Sequence, residues 1–104
     1  MKLRQGATFK RVFTWAIDGE PVNLSGYTAR SQIRKTAASD EVALTLTSYI
    51  TLGGAQGTIT LAIPATITAG LAAGKYVFDL ELVSGATVTT LLAGPVEVAA
   101  EVTR

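Results

Sequence analysis

Apolar and polar residues alternate with a period of two over most of this chain, the pattern of strands that bury one face. The clearest run begins at a glycine: in Gly74-Lys75-Tyr76-Val77-Phe78-Asp79-Leu80-Glu81-Leu82, residues Tyr76, Phe78, Leu80 and Leu82 share one face, and Val77, Asp79, Glu81 and Val83 the other. A Gly-x-Tyr at the start of a central strand also predicts a tyrosine corner, in which the phenol bonds back to the preceding loop. Upstream, the pattern predicts strands over residues 7–17 (Phe9, Phe13, Trp15 and Ile17 inward, with Arg11 on the same face, at a rim or beside a bulge) and 27–35 (Tyr27, Ala29 and Ile33 inward). Further strands are expected over 42–46, 50–52 and 57–63, with Ile59, Leu61 and Ile63 buried. Downstream, residues 87–92 and 96–102 read as two strands separated by Gly94-Pro95.

Between these runs lie turn formers. Asp18-Gly19 suits a hairpin, Asn23-Leu24-Ser25-Gly26 a second reversal, and Gly53-Gly54 and Ser84-Gly85 two more. Residues 66–73 leave room for one or two helical turns, with Thr66 as N-cap and Gly74 as terminator. Met1 to Gly6 reads as a short polar arm, and residues 36–40 as a mobile loop tip. Strands in a run without a βαβ rhythm predict an all-β fold: an immunoglobulin-like antiparallel β-sandwich of about seven strands with one short helical turn, a small barrel being the alternative. The 104 residues are expected to form a single domain, 1–104, carrying the arm 1–6.

Composition mostly removes functions. A net charge of +1 without a long basic run argues against nucleic-acid binding as a main role. With no cysteine and no histidine, disulfides, thiol chemistry and the commonest transition-metal ligands are absent. The Ser and Thr residues have no histidine to activate them, Gly53, Gly54 and Gly57 precede a strand where a phosphate loop needs a helix, and Asp18, Glu20, Asp40 and Glu41 lack the spacing of a calcium loop. Asp79 and Glu81 form the one carboxylate pair worth a catalytic test, and Arg30 and Arg34 on a neighbouring strand make cross-strand ion pairing the simpler expectation. The expectation is a non-enzyme without cofactor or metal. The first residues lack a signal-peptide pattern and no run reaches membrane-spanning length, so synthesis in the cytoplasm and no membrane contact are expected. A low charged fraction of 16% also suits a surface that spends its life against neighbours. Lys2-Leu3-Arg4 precedes the first strand and Glu101 to Arg104 continue the pattern of the last one, so Lys2, Leu3, Arg4, Glu101, Thr103 and Arg104 are candidate partner contacts through strand addition at a sheet edge.

Three stretches carry a resemblance: Gln5-Gly6-Ala7-Thr8-Phe9 followed by Trp15, the run from Asp18-Gly19-Glu20-Pro21 through Ser25-Gly26-Tyr27 to Arg30, and Gly74 to Leu82, closing on Glu101-Val102-Thr103-Arg104. Together they resemble small structural proteins of tailed bacteriophages and prophages, and the N-terminal immunoglobulin-like domain of phage baseplate upper proteins. The resemblance implies a virion component, made in the host cytoplasm, whose partners are other phage structural proteins (tail, fibre or capsid) and which sits in a homo-oligomeric or symmetric array. Baseplate upper proteins continue into fibre or stalk segments where this chain reads Arg104, so the role implied is an adaptor that docks fibres or tailspikes. A capsid decoration or head-fibre protein is the alternative. A carbohydrate-binding module is the third possibility, with Tyr49 the one aromatic in a connecting segment.

Overall fold

The computed structural model describes residues 1–103, and the fold is an all-β sandwich. In chain order the strands are β1 (Lys2–Arg4), β2 (Phe9–Thr14), β3 (Ala16–Ile17), β4 (Glu20–Pro21), β5 (Thr28–Arg34), β6 (Leu44–Thr45), β7 (Ile50–Leu52), β8 (Thr58–Ile63), β9 (Gly74–Ser84) and β10 (Thr87–Ala99), with one helix, α1 (Ala65–Ala69), between β8 and β9. One sheet has the order β1-β10-β9-β5-β6, the facing sheet β2-β8-β7, and β3 and β4 form a separate hairpin ribbon. The connectivity is that of an immunoglobulin-like sandwich. Pairing is antiparallel except between β1 and β10, which run parallel with Leu3 opposite Val98.

β9 holds the larger sheet together because it is flanked on both sides, by β10 and by β5. Its alternation lands as expected: Tyr76, Leu80 and Leu82 are buried and Phe78 is half-buried. Opposite them, β8 buries Ile59, Leu61 and Ile63. Tyr76, Leu61 and Ile63, with Leu3, Ile33, Leu46, Leu71, Val96 and Val98, build one large apolar cluster, and Ile59, Leu80 and Leu82 form a second with Leu24. Trp15 and Tyr27 pack on the second cluster and meet edge to face, ring centroids 5.9 Å apart.

The tyrosine corner is present. The Tyr76 hydroxyl donates to the Ala72 carbonyl at 2.6 Å, and the Lys35 ammonium lies 4.2 Å from the centre of the Tyr76 ring. A buried phenol with its hydrogen bond made fixes where the chain leaves the helix and enters β9.

Several expectations need correction. The stretch expected as an arm contains β1, and Leu3 there is 1% exposed, because one apolar residue between Lys2 and Arg4 is enough to seat a short strand beside β10. Residues 87–99 form one strand, not two separated by Gly94-Pro95. A bulge between Thr90 and Leu92 resets the alternation so that Leu92, Val96 and Val98 face inward. Pro95 fits because odd-numbered residues of this stretch turn their backbone groups toward β1, and its missing N–H falls where the β1 ladder begins; its carbonyl still accepts the Met1 ammonium at 2.9 Å. The strand ends at Ala99, short of Val102, which is 91% exposed. The helix is capped by Pro64 rather than Thr66, and ends at Gly70 rather than Gly74. Likewise residues 7–17 split into β2 and β3, and of the run 42–46 only Leu44–Thr45 is a strand, Leu46 being buried at the turn that follows.

The turns expected from Asp-Gly and Asn-Leu-Ser-Gly form. Asp18 and Gly19 both have positive φ (52° and 82°), the backbone of a two-residue hairpin with Ile17 paired to Glu20. The Asn23 side chain accepts the Ser25 N–H at 3.0 Å, closing the second reversal.

Gln5 ties the two ends of the described chain to α1. Its N–H donates to the Ala99 carbonyl at 3.0 Å, its side-chain amide donates to the Leu71 carbonyl at 2.9 Å, and its side-chain oxygen accepts the Glu101 N–H at 3.1 Å. The adjacent Gly6 has φ 75° and lies under the Glu101 carboxylate, where a Cβ would stand 2.4 Å from its oxygen. Thr68, fully buried, completes the junction with its hydroxyl 2.9 Å from the Ala7 carbonyl and 3.0 Å from that of Ala65.

Two predictions follow from this packing. Tyr76→Phe removes the phenol donor and leaves the Ala72 carbonyl short of a partner, so equilibrium urea unfolding is expected to show a loss of about 1–3 kcal/mol with an unchanged m-value. Gln5→Ala is expected to release the Glu101 amide to fast hydrogen exchange while the amides of β8 and β9 keep their protection; equal loss in both places would mean that Gln5 supports the whole fold.

Candidate functional site

Two surfaces carry the residues singled out from the sequence. The first is the outer face of the five-stranded sheet, where β5 and β9 present Arg30, Gln32 and Arg34 beside Val77, Asp79 and Glu81. Together with the loop at 36–40, they enclose a groove of about 780 Å³. Arg30 and Glu81 are direct cross-strand partners, and the guanidinium Nε donates to the carboxylate at 2.6 Å. Asp79 faces Gln32 across the ladder. Arg34, expected to share the ion pairing, turns to the loop: it donates to the Ser39 carbonyl and, at 2.9 Å, to the Gln32 side-chain oxygen. The structure therefore uses Glu81 to match Arg30 across the ladder and Arg34 to hold the loop tip against the sheet. The Arg30 side chain is 57% exposed, so this ion pair adds little to stability, well under about 1 kcal/mol after solvent screening.

The buried polar groups here are structural. Ser31, 3% exposed, gives its hydroxyl proton to the Asp79 carbonyl, and its own N–H donates to the Thr47 hydroxyl oxygen at 3.2 Å. Among the described residues no cluster of three or more metal-ligating side chains occurs, and no helix is long and apolar enough to cross a membrane. Tyr49 is half-buried and packs on the larger core cluster.

The second surface is the flank where the five-stranded sheet ends in β1 and the three-stranded sheet ends in β2. Of the candidate contact residues, Lys2 and Arg4 point out from β1, while Leu3 between them is buried against the core. Glu101 is half-buried over Gly6, Thr103 is exposed, and Arg104 lies outside the described residues. Lys2, Leu3 and Arg4 are thus brought together on one strand, and Glu101 joins them through Gln5. A shallow cleft of about 230 Å³ opens between Lys2 and Arg4 on one side and Ala7, Thr8 and Phe9 on the other. The sequence reading missed two participants. Gln5 carries no pattern of its own, and Val12, 54% exposed, falls on the outward face by the alternation, but its place on an open edge shows only in the topology. Arg11 could be placed from the sequence: it sits at the rim of the inner face, its guanidinium carbon 5.9 Å from the centre of the Phe9 ring.

No family model matches this chain, and no curated protein matches it. Among solved structures it is similar to the N-terminal domain of phage TP901-1 ORF48, with a TM-score of 0.53 at 15% identity, covering 94% of this chain and 82% of that one. A structure of the NK cell receptor NKp44, described as a triggering partner in natural cytotoxicity, aligns over 97% of this chain and 95% of its own with a TM-score of 0.46 and 12% identity. The first likeness runs through nearly the whole described sandwich, and at that identity what the two chains share is the fold.

Proposed function

We propose that this protein is a non-enzymatic structural component of a tailed bacteriophage particle, acting in the tail or baseplate as an adaptor that docks fibres or tailspikes. The observation that carries the proposal is the similarity of its fold, over 94% of its length, to a domain of a phage protein. The stretches that carry the sequence resemblance support it, since they form the Asp18-Gly19 hairpin, the Asn23 turn and the Tyr76 corner that shape this fold. The chemistry on the surface is suited to contact: the carboxylate pair of β9 is matched to its neighbours in the ladder, and the open features are strand edges and exposed side chains rather than converging catalytic groups. Its partners on this reading are other virion proteins, and copies of the chain are held in a symmetric array that need not involve direct contact between them.

Quantitative mass spectrometry of purified particles, before and after heads are separated from tails, tests the proposal. The expected result is a low copy number that follows tail symmetry and stays with the tail fraction. Hundreds of copies staying with heads would instead make it a capsid decoration or head-fibre protein, and absence from the particle would overturn the virion reading.

A further inference from the structure

We infer that the flank formed by the free edges of β1 and β2 docks an extended, acidic segment of another protein, added as a strand to β2. The inference deepens the contact reading above and rests on it, though not on which part of a particle the protein occupies.

The backbone supplies the first argument. The Trp15 N–H donates to the Gly57 carbonyl and the Gly53 N–H to the Thr58 carbonyl, each at 2.8 Å. These two bonds fix the parity of the ladder: Phe9, Arg11 and Phe13 turn their backbone groups to β8, and Lys10, Val12 and Thr14 turn theirs to the open edge. Three N–H and three C=O groups on a strand of six residues are therefore presented outward. Of the other edges, β6 offers two residues and β7 three, and the outer side of β10 over residues 87–94, ahead of its pairing with β1, is open but carries no charged side chain. Val12 stands at the middle of the open row with its side chain 54% exposed.

The second argument is charge. Residues 1–17 hold Lys2, Arg4, Lys10 and Arg11 and not one carboxylate, although the whole chain is nearly neutral at +1. All four cations are exposed, and the turn at 5–8 that links β1 to β2 brings them to the same flank, where Lys2 and Arg4 line the cleft that Phe9 closes. Two carboxylates reach the β1 side of this flank, Glu97 as the register partner of Lys2 and Glu101 over Gly6, but neither forms an ion pair with the four cations, and among the described residues the one side-chain ion pair is Arg30 with Glu81, between β5 and β9. Lysine and an inward-turned arginine on an edge strand are devices that keep like edges apart. A second copy docked edge to edge would set this cationic flank against itself. A foreign strand with carboxylates at alternate positions gains the ladder hydrogen bonds of β2, sets one of them beside Lys10 on the outer face, and runs on toward Lys2 and Arg4 at the cleft.

The test titrates the isotopically labelled full chain with a short peptide of alternating threonine and glutamate, and with its threonine–lysine counterpart, followed by amide chemical shifts and hydrogen exchange. Saturable shifts and slowed exchange at Lys10, Val12 and Thr14, with the glutamate peptide only and weakening as salt rises, are expected. Lys10→Glu, an exposed change that leaves the core untouched, should weaken binding by about tenfold, and Val12→Pro, which deletes the central outward donor, by a similar factor. The inference is overturned if neither peptide protects these amides, if the lysine peptide binds equally, or if the same amides become protected by self-association without peptide, which would give the edge to a second copy. These outcomes are separate from the particle measurement: an inert edge in a protein that is found in tails removes this inference alone, and capture of the acidic peptide by a protein absent from particles removes the virion reading alone.

Discussion

The fold depends on β9 being paired on both sides while keeping a strict two-residue alternation. Flanked by β10 along its length and by β5 from Val77 to Val83, the strand has little free backbone edge, and its inward row of Tyr76, Phe78, Leu80 and Leu82 can serve as the floor for both apolar clusters. A slip of one residue would turn Asp79 and Glu81 into the core, a cost large enough to fix the register without help from the Arg30–Glu81 pair. Everything else is attached to that floor. β8 supplies the facing row, the Tyr76 hydroxyl pins the corner through which the chain arrives, and the bulge in β10 adjusts its alternation to match.

The second attachment is less regular. Gln5, Gly6, Thr68 and Glu101 come from segments far apart in sequence and join β1, α1 and the residues after β10 through side-chain bonds to backbone. This junction explains why β1 can be a strand of only three residues and still bury Leu3 completely. It also decides what the chain's beginning can offer a partner. With Leu3 in the core, deleting the first residues would damage the sandwich itself, and only the outward Lys2 and Arg4 and the strand edges remain for contact.

Most of the larger features were legible because they rest on local pattern. The alternations of Tyr76 to Leu82 and of Ile59 to Ile63, the Asp18-Gly19 hairpin and the Gly-x-Tyr corner each need only a few neighbouring residues to be read. What escaped depends on contacts at long range. Gly94-Pro95 reads as a turn by composition, yet Pro95 sits in a strand because the side it leaves undonated is one where no donor is needed. Leu46 reads as a strand residue but is buried from a turn, and Thr66 reads as a cap while Pro64, already extended at ψ 152°, holds the position. Of the candidate site, the cross-strand match of Arg30 and Glu81 was visible as alternation on two strands, whereas the open edge of β2 was not, since a sequence shows where strands are and not which of them lie outermost.

That last distinction bears on how such a domain can work by contact. A sandwich of two open sheets has four lateral edges, and each exposes backbone groups that invite pairing. Here β6 and β7 are too short to template much, and β1 carries a cation on either side of its single buried residue. The outer side of β10 ahead of β1 is long but uncharged, and β2 is the open edge where length and unbalanced charge coincide. An edge kept open only for solubility needs charge of either sign; the same sign repeated at Lys2, Arg4, Lys10 and Arg11 does more, because it repels copies of the chain and selects an acidic strand. If copies are held in the proposed symmetric array, that selection would have a structural use: identical domains could stand side by side without their edges fusing, while each took up a strand of a different protein.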